Sequence, residues 1–497
     1  MALVIAILLA ATARKVYGQN PVASQPAAAQ QAQPAPLQIG SLTVDGSIRT
    51  RAEGWGWFNV PHLDNLYAFP GTLIRLGIGQ TRKDFDWRFE IAVPVLLGLP
   101  DKAVAPAPQG QFGFGGSYYA SNHNSQYTAM AFPKQAYLRF KHLGSDEGES
   151  LQFGRFEYFD GLEVTPSDAT LAALVRERVA QRLIGNFTYS DIERSFDGFR
   201  YVLSRPSLNL TAVGAIPTRG VYQVDGWGWL HTGLVYVALS GQIIGKQNSA
   251  GEWRVFGIYY DDWRHVLKTD NRSTALRQLD MGNIKLGTYG GHYLQTLQTV
   301  PGTADFLLWG AFQTGSWGSL DNRAGAFAGE LGFQPKLLKA VRPWLRAGYF
   351  YGSGDGNPAD GRHGTFFQIF PTARQYARFP FFNLMNNEDA FGELILRPKP
   401  TVTIRSDIHT LRLANSNDLW YTGGGAFQPW TFGYTGRPSN GARSLATLYD
   451  ISLDYRLNAH LATSWYLGYA KGKTVIRKIY PTGHDGQLGF LEITYRF

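Results

Sequence analysis

The chain predicts an all-β architecture: a transmembrane, antiparallel, up-and-down β-barrel of about eighteen strands in a Gram-negative outer membrane. Three observations predict it. Apolar and polar residues alternate with period two over most of the length, short and long connections alternate, and the final residues place an aromatic terminus after apolar residues at every second position. Composition agrees, since only 17% of the 497 residues are charged, against roughly 25% in soluble domains, while 14% are aromatic and 57 are glycine. Past the N-terminus no apolar run reaches the roughly 18 residues of a transmembrane helix, which excludes a helical bundle. The lack of cysteine excludes disulfide frameworks, Cys-ligated zinc, iron–sulfur clusters and thiol nucleophiles. A formal net charge of +9 favours an anionic partner, and no basic run or motif points to nucleic acid.

The first element is a secretory signal over residues 1–18, read from the apolar stretch Ala2 to Ala13 and the small-residue spacing of Val16 and Gly18. Residues 19–37 follow as a disordered periplasmic tether of Pro, Ala and Gln. It is too short for a folded plug, which disfavours an energy-coupled receptor. From residue 38 to 497 the chain reads as barrel. In its first run Leu42, Val44, Ile48 and Ala52 oppose Asp45, Ser47, Arg49, Arg51 and Glu53, a strand that separates lipid from water. Strands are expected to start near Ser41, Thr72, Phe85, Lys134, Ser150, Ser195, Ser207, Leu230 and Trp253. The second half adds starts near Asn283, Thr303, Arg323, Arg342, Asp389, Pro400, Ala446, His460 and Gln487. Connections after even strands are mostly short and those after odd strands mostly long, the pattern of periplasmic turns and outer loops.

At the end, Leu491, Ile493, Tyr495 and Phe497 interleave with Glu492, Thr494 and Arg496. This resembles the insertion signal of outer-membrane barrels, so the barrel-assembly machinery is an expected partner through Phe497, beside membrane lipid and lipopolysaccharide. Trp55, Trp57, Trp87, Trp253, Trp465 and Tyr469 lie near strand ends, where aromatic girdles meet headgroups.

A barrel of this size holds an aqueous lumen, so inward residues decide function. Alternation assigns to that face Arg49, Arg51, Arg75, Arg88, Arg139, Arg155, Arg200, Arg346 and Arg405, with Glu53, Glu90, Glu157 and Asp407 among the acids. Arginine offers forked donors matched to carboxylates. Such a wall either braces itself or selects acidic solutes. Arg176, Arg178 and Arg182, in a helix-like pattern with Leu171, Leu174 and Val175, mark either a constricting loop or a solvated one.

The chain resembles the alginate export family of outer-membrane porins. The resemblance rests on the run Arg194 to Arg200, above all on Ser353 to Arg362 followed by Gly364-Thr365-Phe366, and on Leu413-Ala414 through Asp418 to Tyr421. It implies an eighteen-stranded monomeric barrel that passes an acidic polysaccharide outward past Arg49, Arg51, Arg88, Arg155 and Arg405, with loops or turns as gates. Periplasmic secretion components are then further partners. Arg374 stands where the family has His, and Leu411-Arg412 replace an aromatic pair.

Two other functions compete with export of an anionic polysaccharide or oligouronate. One is an uptake porin for small organic anions or oligosaccharides. The other is an outer-membrane hydrolase built on His409 with Asp407, Ser406 and Thr410, which alternation opposes by sending Ser406 and Thr410 to lipid. No cofactor is expected beyond a weak Ca²⁺ candidate at Asp355 and Asp360, in a loop that also suits an Asx-turn brace.

Overall fold

The computed structural model describes residues 34–143, 148–244, 248–372 and 377–497. The expected signal, most of the tether and Arg374 lie outside them.

Eighteen antiparallel strands form one closed barrel. They are β1 Leu42–Gly56, β2 Leu66–Thr81, β3 Phe85–Leu96, β4 Phe132–Lys141, β5 Glu149–Phe156, β6 Phe196–Ser204, β7 Leu208–Pro217, β8 Thr232–Ile244 and β9 Ser249–Asp262. The second half comprises β10 Ile284–Gln298, β11 Gly302–Trp317, β12 Leu320–Pro335, β13 Trp344–Gly352, β14 Asn387–Lys399, β15 Val402–Arg412, β16 Ser444–Arg456, β17 Leu461–Gly472 and β18 Asp485–Arg496. Each pairs with its sequence neighbours, and β1 pairs with β18 from Ser47↔Arg496 to Gly56↔Gln487, which closes the sheet and removes its edges. The short strand Leu37–Ile39 folds back on the start of β1.

Alternation carries through to the folded barrel. Ile451, Trp465, Leu467, Leu491 and Ile493 are exposed to the lipid side, while Asp450, Asp454, Ser464 and Glu492 are buried on the other. Most expected strand starts fall within two residues of the observed ones. The largest displacement is β2, which begins at Leu66 rather than near Thr72 and runs through Pro70. A proline inside a run reads as a strand boundary, yet Pro70 pairs with Ala52 near the outer end of the sheet. One outer connection is short: Gly318 and Ser319 join β11 to β12 in a hairpin. Gly318 has φ +61, and a Cβ there would strike the Asp280 carboxylate.

The lumen holds the core. Segments 97–131, 157–195, 353–372, 377–386 and 413–443 bury large residues against the inner wall, including Phe114, Leu174, Phe187, Phe370, Phe381 and Trp420. The girdle expectation is corrected here. Trp55 and Trp57 are 0% and 5% exposed and pack on Phe114 and Phe379 inside the barrel. They share parity with Arg49, Arg51 and Glu53, so they point inward. Trp465 and Tyr469 do face lipid.

Candidate functional site: the lumen wall and the segment that crosses it

Segment 157–195 leaves the top of β5, crosses the lumen and returns to β6. Its helical turn Ala169–Leu174 is capped by Asp168, whose carboxylate accepts from the Leu171 N–H. Leu171, Leu174, Val175 and Val179 are buried against the wall, so the amphipathic pattern is satisfied inside the barrel.

The segment touches the wall through charge in three sectors. On β9, Arg254 lies 3.5 Å from Asp160 and 3.3 Å from Glu163. Burial pushes the Asp160 carboxyl up to about 6, although Arg254 pulls the other way. On β12 to β15, Arg178 forks onto Glu330 at 2.8 and 3.0 Å and stacks 4.3 Å from the Phe391 ring. Arg182 lies over Trp309 at 4.7 Å and 3.8 Å from Glu330. Glu177 accepts from Arg405 at 2.5 Å, and Arg405 also donates to Glu393 at 2.9 Å. Burial opposes ionisation of Glu177, but Arg405 and Arg397 outweigh it and hold its carboxyl below the ordinary range. Arg176 is half-buried beside this pair.

On β1 and β2, as on β9, the wall supplies the arginines and the segment the carboxylates. Arg49 donates to the carbonyls of Thr188 and Ser190 at 2.7 and 2.5 Å and lies 3.9 and 3.7 Å from Asp191 and Glu193. Arg51 binds Glu492 at 2.6 and 2.9 Å and the Tyr189 carbonyl at 2.6 Å, with Glu53 at 3.3 Å. Arg75 gathers Glu90, Glu157 and Glu193 at 2.5 to 3.3 Å. Arg88 forks onto Asp45 at 2.7 Å and reaches Glu90.

The remaining expected residues scatter. Arg139 pairs with Asp86, Arg200 stacks 5.8 Å from Tyr158, and Arg346 joins Asp305 and Glu330. Asp407 stands opposite both Glu393 and Asp450 in the β14–β15–β16 register, a row of three carboxylates. Arg155 is misassigned by alternation. It pairs in register with Ala136 and Asp197, and Gly154 beside it pairs with the inward Tyr137, so Arg155 faces outward. Gln152, Gly154 and Phe156 keep the inward parity, and the chain turns into the lumen after Phe156, carrying Glu157 inward while Arg155 stays outside.

His409 bonds Asp389 through Nδ1 at 2.9 Å and is buried on the inner face, while Ser406 and Thr410 are exposed on the opposite, lipid-facing side. In the outer loops, Asp355 and Asp360 each accept a backbone N–H two residues on, from Asn357 and Arg362, as Asx turns. Among the described residues no group of three or more His, Asp or Glu side chains is placed to hold a metal ion. Nearby, Asp418 accepts from Thr365, Tyr421 and the Asp355 N–H, and burial pushes its carboxyl up to about 6.

A family model described as alginate export matches residues 116–475. The chain belongs to the alginate export family. Solved barrels share the fold at low identity. Acinetobacter baumannii OccAB2 has a TM-score of 0.57 at 10% identity, covering 92% of this chain and 99% of that one. Pseudomonas aeruginosa OccK9 (OpdG) has 0.55 at 9%, covering 92% and 98%, and P. aeruginosa OpdK solved with vanillate has 0.53 at 9%, covering 91% and 98%. No curated protein sequence matches the chain. Family and fold together make this an integral outer-membrane β-barrel channel.

Sequence reasoning did not single out Asp160, Glu163, Glu177, Asp191, Glu193 or Arg254, although they take part in most of the ion pairs described between wall and segment. The available signal was the run Leu171 to Val179, too apolar to remain in a solvated loop. Once it packs inside, the acids on either side of it are carried to the wall.

Proposed function

We propose that this alginate export family member is a passive channel whose arginine-lined lumen conducts an acidic polysaccharide outward, with segment 157–195 as a displaceable gate. One observation carries the reading. The wall arginines Arg49 and Arg75 are occupied by carboxylates on the chain's own crossing segment, Glu157, Asp191 and Glu193. Carboxylates spaced along a chain are what a polyuronate presents, so it competes for the same forked donors. Burial of the segment makes its displacement necessary for polymer transit. Passage is by diffusion past exchanging ion pairs; the barrel supplies positioning and charge, without bond-making. Delivery by periplasmic secretion components and insertion through Phe497 belong to the same reading.

Uptake of small organic anions is the second reading, favoured by the loop-filled lumen and by a structural neighbour solved with vanillate. Single-channel recording of the refolded barrel in a salt gradient, with polyuronate on one side, separates them. Anion preference and polyuronate block that weakens in Arg49→Gln/Arg51→Gln support the first. Anion preference without polymer block supports the second, and cation preference sinks both.

A further inference from the structure

The outer rim above β5 and β6 carries a side-chain cluster that faces away from the lumen. These strands have eight and nine residues, about the minimum that crosses a bilayer, so their outer ends lie at headgroup level. There Arg155 and Asp197 follow Phe153 and Phe199 on the outward face, and the two phenylalanines are exposed to lipid. Arg155 forks onto Asp197 at 2.7 Å and gives its other N–H groups to the carbonyls of Pro133, Gly226 and Trp227 at 3.0 to 3.1 Å. It is therefore a brace that pins segment 218–231 over the rim.

On the pinned segment Trp227 and Trp229 are 57% and 53% exposed. Their indole N–H groups are already bonded inside the protein, to the Ala131 carbonyl at 2.7 Å and to Asp197 at 2.6 Å. An interfacial anchor keeps that N–H for headgroups, whereas these side chains offer ring faces alone. Arg219 packs over Gly228, between the two tryptophans in sequence, and its guanidinium lies 5.2 Å from the ring of Trp430, itself 54% exposed, and 2.7 Å from Asp225. Exposed flat rings beside a forked donor and a carboxylate suit a sugar ring, whose C–H face stacks while its hydroxyls bond the charged pair.

We propose that Trp227, Trp229, Trp430, Arg219 and Asp225 form a docking site for the sugar headgroup of lipopolysaccharide. Continuity with the lipid-facing Phe153 and Phe199 selects a membrane-borne sugar over a free polymer. The proposal depends on outer-membrane placement and is independent of cargo.

The test is native mass spectrometry of the full barrel with deep-rough lipopolysaccharide, using phosphatidylglycerol and soluble oligouronate as competitors. Wild type retains one lipopolysaccharide. Trp227→Ala/Trp229→Ala weakens binding by about tenfold or more, roughly the loss of one stacked ring, and Arg219→Gln weakens it less, with single-channel conductance unchanged. Trp227→Phe/Trp229→Phe keeps ring faces and most of the binding, which preserves the test if the alanine variant misfolds. Equal binding by the Ala variant, loss of binding in the Phe variant, or displacement by phosphatidylglycerol or oligouronate overturns the proposal.

Discussion

The two walls gripped by segment 157–195 differ in which partner brings which charge. At β1 and β2 the wall is basic and the segment supplies Asp191 and Glu193; at β12 the wall supplies Glu330 and the segment supplies Arg178 and Arg182. A polyanion arriving in the lumen can replace the segment's acids at the first contact. At Glu330 it cannot, because it would have to bond a carboxylate, although the neighbouring Arg405–Glu177 pair has the polarity of the first contact. On the proposed reading the segment has a releasable end, Asp191 and Glu193 at Arg49 and Arg75, and an anchored middle, Arg178 and Arg182 at Glu330.

The largest effect is expected from breaking the anchored middle. Arg178→Leu leaves Glu330 with Arg346 but removes a buried forked pair, a loss of about 3–5 kcal/mol when one partner of such a pair goes. The segment should detach, seen as raised, noisy single-channel conductance and faster proteolysis between residues 157 and 195. Unchanged conductance would mean that apolar packing alone holds it.

Next comes the releasable end, where two variants should move in opposite directions. Arg49→Gln/Arg51→Gln should weaken polyuronate block by about tenfold, the equivalent of about 1.4 kcal/mol, and reduce anion preference. Glu193→Gln removes the competitor and keeps the arginines, so block should strengthen by a few-fold. If both variants shift block in the same direction, competition between segment and polymer is wrong.

The smallest effect concerns the outer loops around Asp418. The folded Asp418 carboxyl titrates near 6, above the roughly 3.9 of an unfolded aspartate. The folded loops bind its proton first as pH falls, so they gain stability between about pH 6 and 4 and lose it as pH rises through 6. Limited proteolysis of segment 413–443 should be slower at pH 5 than at pH 7, and Asp418→Asn should flatten the difference.

Alternation carried the wall almost completely, because a strand's two faces are fixed by backbone geometry, and Arg49, Arg51, Arg75, Arg88 and Arg405 fall inside as expected. It failed at Arg155, where the strand ends and the chain bends inward one residue later. Alternation also could not see Asp191 or Glu193, since their positions follow from where an irregular segment lands and not from any local period. Trp55 and Trp57 show a further limit: nearness to a strand end suggested a girdle, whereas their parity with Arg51 and Glu53 pointed inside.

Gly71 lies on β2, where a Cβ would collide with the Asp191 carboxylate. Its missing side chain is the socket that the releasable end plugs into. A single methyl group at that position would act as a wedge, and Gly71→Ala would turn a normally shut passage into one held ajar without altering a single charge.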